Sequence, residues 1–435
     1  MVLAKYRLGD IATVAISGID KKTVEGEIPV SLCNFVDVYY NWAITKDHYP
    51  LLMNATARQS EIDEFTLHKG CVAITKDSET RNDIGSACYI ADDFDDVVVL
   101  GYHTALITPN PQFLDGKYLN ALLHTSYFQK YWYNNASGSG QRFSLSLETL
   151  LDAVLYLPDI HTQHRVGDIL SHIDRKASLL KRETALLDDL TRQLYDYWFV
   201  QFDFPDVNGD PYKTSGGEME YSPILQRDIP KGWSVDMIGN HISTIRGQSY
   251  DGTNLSESGI PMLNLASFKP GGGYNVAGLK YFKGIYSPDK VLEPFDLVMC
   301  NTQQTAIDFS KDIIGNAVLV PDVFDGVILS SHHVTNIKCD SDGLKYYYYC
   351  LFNTTWFHKY ISRYTNGTNI LGLIFKGVED YPTPIPPTDI LDEFSKLIKD
   401  VEKRKSVIIK EMASLYELQS YILPVLMNGQ AKIQC

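Results

Sequence analysis

Few residue sets in this chain have the types and spacing for chemistry, and each falls short of a complete site. His161 and His164 stand three apart, and His332 and His333 are adjacent. Neither pair comes with the further donors that a catalytic metal needs. No G-x-x-x-x-G-K-[ST] occurs, so phosphate binding by a P-loop is not expected, and no G-x-G-x-x-G follows a strand. Gly271 to Gly273, in "KPGGGYN", suits a flexible loop. The seven cysteines are scattered singly with no C-x-x-C pair, which argues against structural zinc or a redox motif. No Ser/His/Asp set is evident. The chain is expected to catalyse nothing and to hold no metal or cofactor of its own.

What organises the chain is repetition. "VLYLPDIHTQHRVGDILSHIDRKASLLKRE" (Val154 to Glu183) has a counterpart about 228 residues later, "DYPTPIPPTDILDEFSKLIKDVEKRKSVII" (Asp380 to Ile409). Each follows a mixed stretch of roughly 150 residues, a size for one domain. Val166, Leu170, Ile173, Ala177, Leu180, Thr184, Leu187, Thr191 and Leu194 step by alternating threes and fours. Their counterparts are Phe394, Ile398, Val401, Lys405, Ile408, Met412, Leu415, Gln419 and Ile422, apolar except Lys405 and Gln419. Two long helices sharing one heptad phase are expected to pair as a coiled coil, with the polar seam positions setting register. Pro158, and Pro382, Pro384, Pro386 and Pro387, mark the helix starts. Similar heads at opposite ends imply that the pair is antiparallel.

The preceding stretches correspond weakly. "YRLGDIATVAISGID" (Tyr6 to Asp20) parallels "DMIGNHISTIRGQSYD" (Asp236 to Asp251), and "FTLHKGCVAITKDSE" (Phe65 to Glu79) parallels "FDLVMCNTQQTAID" (Phe295 to Asp308). A common frame with differing insertions suits two recognition surfaces. Val97 to Thr108 is predicted as a strand, Leu114 to Asn135 as helical, and Tyr346 to Tyr349 as helix core. The expected division is a head over 1–158, a helix over 159–200, a linker over 201–230, a second head over 231–387 and a second helix over 388–435. Hydrophobic residues make up 44% of the chain, enough for each half to bury a core. No apolar run approaches the roughly 18 residues that span a bilayer. With no signal-like start and unpaired cysteines, a reducing cytoplasm is expected. The net charge of −14 argues against a nucleic-acid partner unless a local basic cleft or a basic partner compensates.

The whole length resembles the specificity subunits of type I restriction–modification enzymes. The resemblance rests on the order head, helix, linker, head, "PIPP" and helix. It rests also on "LGDI" (Leu8 to Ile11), "YDYWFVQFDFP" (Tyr195 to Pro205), "PYKTSGGEME" (Pro211 to Glu220) and "RDIPKGW" (Arg227 to Trp233). The resemblance implies an α/β fold (α+β heads): two similar target recognition domains separated by a pair of long antiparallel coiled-coil helices, with a pseudo-twofold repeat. It implies that each head binds one half of a split site in double-stranded DNA. It further implies that the helices set the spacer and dock two modification subunits. Those subunits would carry S-adenosylmethionine, while restriction (motor) subunits would use ATP and Mg. A helix of about 36 residues is roughly 54 Å long, and B-DNA rises about 3.4 Å per base pair, so the heads would sit on the order of one to two DNA turns apart.

Reading bases needs Arg, Asn and Gln at base edges, with Lys, Ser and Thr on phosphates. In the first head the candidates are Arg58, Gln59, Lys76, Arg81, Tyr102, His103, Ser139, Gln141 and Arg142. In the second they are Arg246, Gln248, Asn301, Gln303, Gln304, His332, His333, Asn366, Thr368 and Asn369. The loops at Gly138 and Gly367 occupy equivalent places in the repeat. Tyr197, Trp198 and Phe199 are candidates for partner contact, with packing at the helix end as the alternative. Two other classes fit less well. A single-chain methyltransferase–specificity fusion would need an Asn-Pro-Pro-aromatic loop, for which Asn110 to Phe113 has Gln in the third place. A coiled-coil adaptor without a DNA role would suit the acidic charge.

Overall fold

The computed structural model describes residues 3–304, 311–428 and 430. Contacts divide the chain into two units, Met1–Leu179 with Ser414–Cys435, and Leu180–Ala413.

In unit 1, Val72–Thr75 and Ala87–Ile90 are wholly buried strands. They form the centre of a five-stranded sheet ordered Ala12–Ile16, Thr104–Pro109, Val72–Thr75, Ala87–Ile90, Ala43–Ile44. Successive side chains of a strand face opposite ways, and the core divides accordingly. Val72, Ile74, Tyr89, Ala105 and Ile107 pack with Tyr118, Leu119, Phe128 and Trp132 of the helices Gly116–Leu123 and Ser126–Asn135. The alternate residues Ala73, Cys88, Ile90 and Leu106 pack with Val30, Leu32, Val99 and Leu100 of a second sheet. Unit 2 repeats the scheme. Leu297, Met299, Ala317 and Ile337 meet the helix Asp342–Phe352, while Val298, Cys300, Val318 and Val334 face Leu263 and Ile328. Tyr346 to Tyr349 are all buried in that helix, as expected.

Two predicted elements are each broken in two. The strand expected over Val97 to Thr108 is Val98–Leu100 and Thr104–Pro109, interrupted where His103 takes a left-handed φ of 70°. The helical stretch breaks at His124, beside which the Thr125 hydroxyl donates to the Leu122 carbonyl (2.6 Å). Asn110 to Phe113 is a turn in which the Asn110 side chain accepts from the Gln112 amide.

The long helices are α1 (Ile160–Tyr195) and α2 (Thr388–Met427). The residue before α1 is Asp159, whose carboxylate accepts from the Thr162 amide at 2.9 Å, satisfying a donor that a helix start leaves open. Within unit 2 the helices pair antiparallel. Glu183 takes a two-pronged hydrogen bond from Arg404 (2.6 and 2.9 Å), Asp188 pairs with Lys405 at 2.8 Å, and Trp198 packs on Phe394. Lys405, a polar position of the expected seam, also holds Glu402, which the Tyr349 hydroxyl contacts. Burial opposes the charge on Lys405, but Tyr349, Glu402 and Asp188 together outweigh it and raise its pKa. Within unit 1, Ile422, Leu423, Leu426 and Met427 join Val166 and Leu170 in the core.

Residues 201–230, expected to be a linker, pack into unit 2. A π-helical turn over Asp196–Val200 ends α1, closed by the Gln201 amide on the Asp196 carbonyl. Phe202, Phe204 and Ile229 then enter the core beside Trp233. This also corrects the expectation for Trp198 and Phe199. They are 4% and 1% exposed and pack on Phe394, with Phe199 also against Tyr347 and Trp233. They are core residues of the second head, so they are not available to a partner. Tyr197 remains 39% exposed.

Candidate nucleic-acid interface

In unit 1 the strand Asp77–Ser78 pairs with Arg142–Ser144, which turns back to Ser137–Ser139. This hairpin depends on glycine. Gly138 has φ 120°, and a Cβ there would lie 2.1 Å from the Arg142 carbonyl oxygen. Ser139, Gln141 and Arg142 are exposed at its tip. The Lys76 amide donates to the His103 carbonyl (2.9 Å) and its own carbonyl accepts from Leu145 (2.7 Å), locking the hairpin to the Tyr102–His103 corner. Asp77 ties the side chains together, with Lys76 and His103 each at 2.7 Å. Burial works to raise the Asp77 pKa, but hydrogen bonds from Lys76, Ser144 and His103 prevail and hold the carboxyl below its usual range. Tyr102 lies 3.8 Å from the His103 ring centroid and is half exposed. Arg81 lies over the Phe143 ring at 5.0 Å, a cation–π contact that orients its guanidinium.

Unit 2 carries the same frame. The Asn301 amide donates to the His333 carbonyl (3.0 Å) and its carbonyl accepts from Leu373 (2.9 Å). Thr302–Gln304, Ile370–Leu373 and Thr365–Asn366 form the matching three-stranded sheet. Gly367 has φ 115°, and a Cβ there would lie 2.0 Å from the Ile370 carbonyl oxygen. Thus Lys76 corresponds to Asn301, Asp77 to Thr302, Tyr102 to His332 and His103 to His333. The rings of His332 and His333 stand 3.8 Å apart, as do those of Tyr102 and His103. Arg246 donates from Nε to the His332 carbonyl at 2.8 Å, leaving an exposed guanidinium end. Burial, then the Arg246 charge, lowers the His332 pKa; burial, His332 and Arg246 lower that of His333. Both imidazoles are therefore neutral at neutral pH.

Several expected readers are placed otherwise. Arg58 and Gln59 bond to Glu61 (2.5 Å) and Asp63 (2.8 Å). Ala57 lies opposite Ile28, while Leu100, two residues before Tyr102, lies opposite Cys33. That puts roughly 17 Å of strand between Ala57 and Leu100, with Arg58 and the Tyr102 corner beyond its opposite ends. Asn301 and Gln303 are buried with their amides engaged. Asn301 binds Thr335 and Thr302, and the Gln303 carbonyl accepts from the Ile313 and Ile314 amides. Gln248 bonds to the Ser287 amide and the Ser249 carbonyl near His332. Gln304 ends its strand and Thr305 lies outside the described residues. Asn366, Thr368 and Asn369 are exposed on the Gly367 hairpin.

The sequence reading missed an aromatic surface beside Tyr102. Asn34 caps the helix Phe35–Tyr40, in which Phe35 and Tyr39 stack at 5.7 Å and Tyr40 is 74% exposed. Gly101 packs directly on the Asn34 backbone. "NFVDVYY" carried the signal, a cap followed by aromatics too exposed by spacing to be core. Among the described residues no group of three His, Cys, Asp or Glu could hold a metal ion, and no helix is long and apolar enough to cross a membrane.

Residues 3–188 match the family model of the type I restriction modification DNA specificity domain. The type I restriction enzyme MjaIX specificity subunit of Methanocaldococcus jannaschii is 22% identical over 323 residues, covering 73% of this chain and 69% of that one. The HindI specificity subunit of Haemophilus influenzae is 28% identical over 127 residues, 29% of this chain and 28% of its own length. The crystal structure of a type I restriction–modification S subunit from M. genitalium aligns with a TM-score of 0.58 at 13% identity, over 99% of this chain and 97% of that one. At that identity the likeness is one of fold. The chain is similar to the specificity subunits of type I restriction–modification systems, and residues 3–188 carry the likeness to their DNA specificity domain. The matched domain is one of DNA specificity.

Proposed function

We propose that the two heads read the two halves of a bipartite duplex site, with Arg81, Tyr102, His103, Gln141 and Arg142 facing one half and Arg246, His332, His333, Asn366, Thr368 and Asn369 the other. The observation that carries this reading is one backbone frame bearing different side chains. Lys76, Asp77, Tyr102 and His103 in the first head stand where Asn301, Thr302, His332 and His333 stand in the second. Identical frames with different donors and acceptors discriminate different bases. Lys76, Ser139 and their neighbours suit phosphates, which position without specifying.

The division into heads over 1–158 and 231–387, with helices over 159–200 and 388–435, is part of the proposal. So is the role of α1 and α2 as a ruler that docks two modification subunits. S-adenosylmethionine would be on those subunits, ATP and Mg on the motor subunit, and the complex in the cytoplasm. Acidic net charge fits a chain that grips DNA only with basic partners around it. Selection from random duplex by the chain with its modification subunits, followed by sequencing, tests this. A split motif with a fixed unspecified spacer supports it; a single continuous motif or no enrichment contradicts it. Removing a heptad within Ser178 to Leu187 is expected to change spacer length and leave both half-sites intact.

A further inference from the structure

The end of α1 and the end of α2 occupy equivalent places in the repeat, yet they are finished differently. In unit 2, the chain leaving α1 folds over the helix end. Trp233 is 6% exposed, with Phe199, Phe202 and Phe204 at ring-centroid distances of 6.2, 5.6 and 5.3 Å. Leu225 and Arg227 of the same segment form one wall of a hollow of about 310 Å³ beside Val200, Leu351 and Trp356, the last 40% exposed. The strand registers Ser234↔Ile385 and Ala4↔Leu157 make Leu3 the counterpart of Trp233. In unit 1, Leu3 is 39% exposed. It borders an open cavity of about 490 Å³ lined chiefly by Leu122, Tyr127, Tyr156, Leu423 and Met427. Tyr127 and Tyr156 are 49% and 47% exposed. Tyr127 is the counterpart of Trp356, and Leu423 and Met427 of Tyr195 and Phe199. No counterpart of Phe202, Phe204, Leu225 or Arg227 lines it among the described residues.

We propose that this cavity is a docking site for a modification subunit, and that it takes a short segment of Phe, Tyr or Leu side chains doing for unit 1 what Phe202 to Trp233 do for unit 2. The occupant's chemistry follows from the repeat. In unit 2 an aromatic segment covers the same helix end and narrows the equivalent hollow, which stays open beside Trp356. An apolar hollow of this kind, rimmed by half-exposed tyrosines, marks an interaction site. Tyrosine at the rim suits a contact with one apolar side and one wet edge. The proposal rests on the reading that modification subunits dock on this chain, and adds where one of them does so.

The test replaces Tyr127, and separately Tyr156, with a photo-crosslinking phenylalanine in the full chain, co-purified with the modification subunit and irradiated. A crosslink to the modification subunit supports the proposal. A crosslink to residues 429–435 of the chain itself, or to a second copy, overturns it. Co-purification without any crosslink overturns the placement alone, whereas failure of the unaltered chain to co-purify overturns the docking reading beneath it. As a second measurement, Leu3→Glu with Tyr127→Glu is expected to weaken association about tenfold, while Ile224→Glu, on an exposed residue of the inter-repeat segment, leaves it unchanged. Equal affinities overturn the proposal.

Discussion

The first head gathers a carboxylate, an ammonium and an imidazole at its corner, whereas the second, on the same backbone, sets neutral side chains beside the single guanidinium of Arg246. Asp77 gathers Lys76 and His103 in unit 1. In unit 2 the matching position is Thr302, whose hydroxyl goes to Asn301, and the two histidines are held neutral. The frame is set by main-chain hydrogen bonds that do not depend on side-chain identity, so it survives while the readers change. On the proposed reading, this lets one duplicated fold serve two DNA words.

The comparison can be broken first at the helix ends. Phe199→Ala removes an aromatic buried among Tyr347, Phe394 and Trp233, and is expected to destabilise unit 2 by about 3–5 kcal/mol. Met427→Ala, its counterpart beside the open cavity, is expected to cost unit 1 less, about 2 kcal/mol. Urea unfolding followed by hydrogen exchange in each unit measures both; equal losses would contradict the account of an uncovered end.

Arg81→Ala and Arg246→Ala are each expected to cost about 1–3 kcal/mol of DNA affinity and to relax one half-site only. Relaxation of both halves by either change would remove the assignment of heads to halves.

Acid provides a third comparison. The unfolded chain protonates its histidines near 6.5, while burial keeps His332, His333 and His358 in unit 2 and His124 in unit 1 neutral to lower pH. The unfolded state therefore binds protons first, and stability, full above pH 6.5, is lost as pH falls through the lower folded values. Asp77 behaves differently, its contribution persisting until pH falls below the usual carboxylate range. Unit 2 is expected to lose stability more steeply than unit 1 as pH falls below about 6.5, as read by unit-resolved hydrogen exchange. The smallest effect is expected from Lys76→Ala, which should reduce the salt dependence of binding by about one phosphate contact.

The duplication and the paired helices were legible because a heptad seam and proline-marked starts survive in linear form. The Gly138 and Gly367 hairpins were legible for a related reason, since only glycine fits those carbonyl contacts. Trp198 and Phe199 were misread because an apolar helix end looks the same whether it meets a partner or a segment folding back from further along the chain. Asn301 and Gln303 were misread because an amide on a strand end can face the protein as readily as the solvent. Arg58 and Gln59 failed on register, which fixes distance along a sheet and which no local motif records. The covered and uncovered helix ends were invisible until the strand registers aligned Leu3 with Trp233.

The account stands on each head reading its own half of the target. Gly138→Ala and Gly367→Ala, made separately, each force one hairpin against a carbonyl oxygen about 2 Å away. Duplex selected by each variant complex should lose one half of the split motif and keep the other, with opposite halves lost in the two variants. Loss of the same half in both, or an unaltered motif in both, would contradict it.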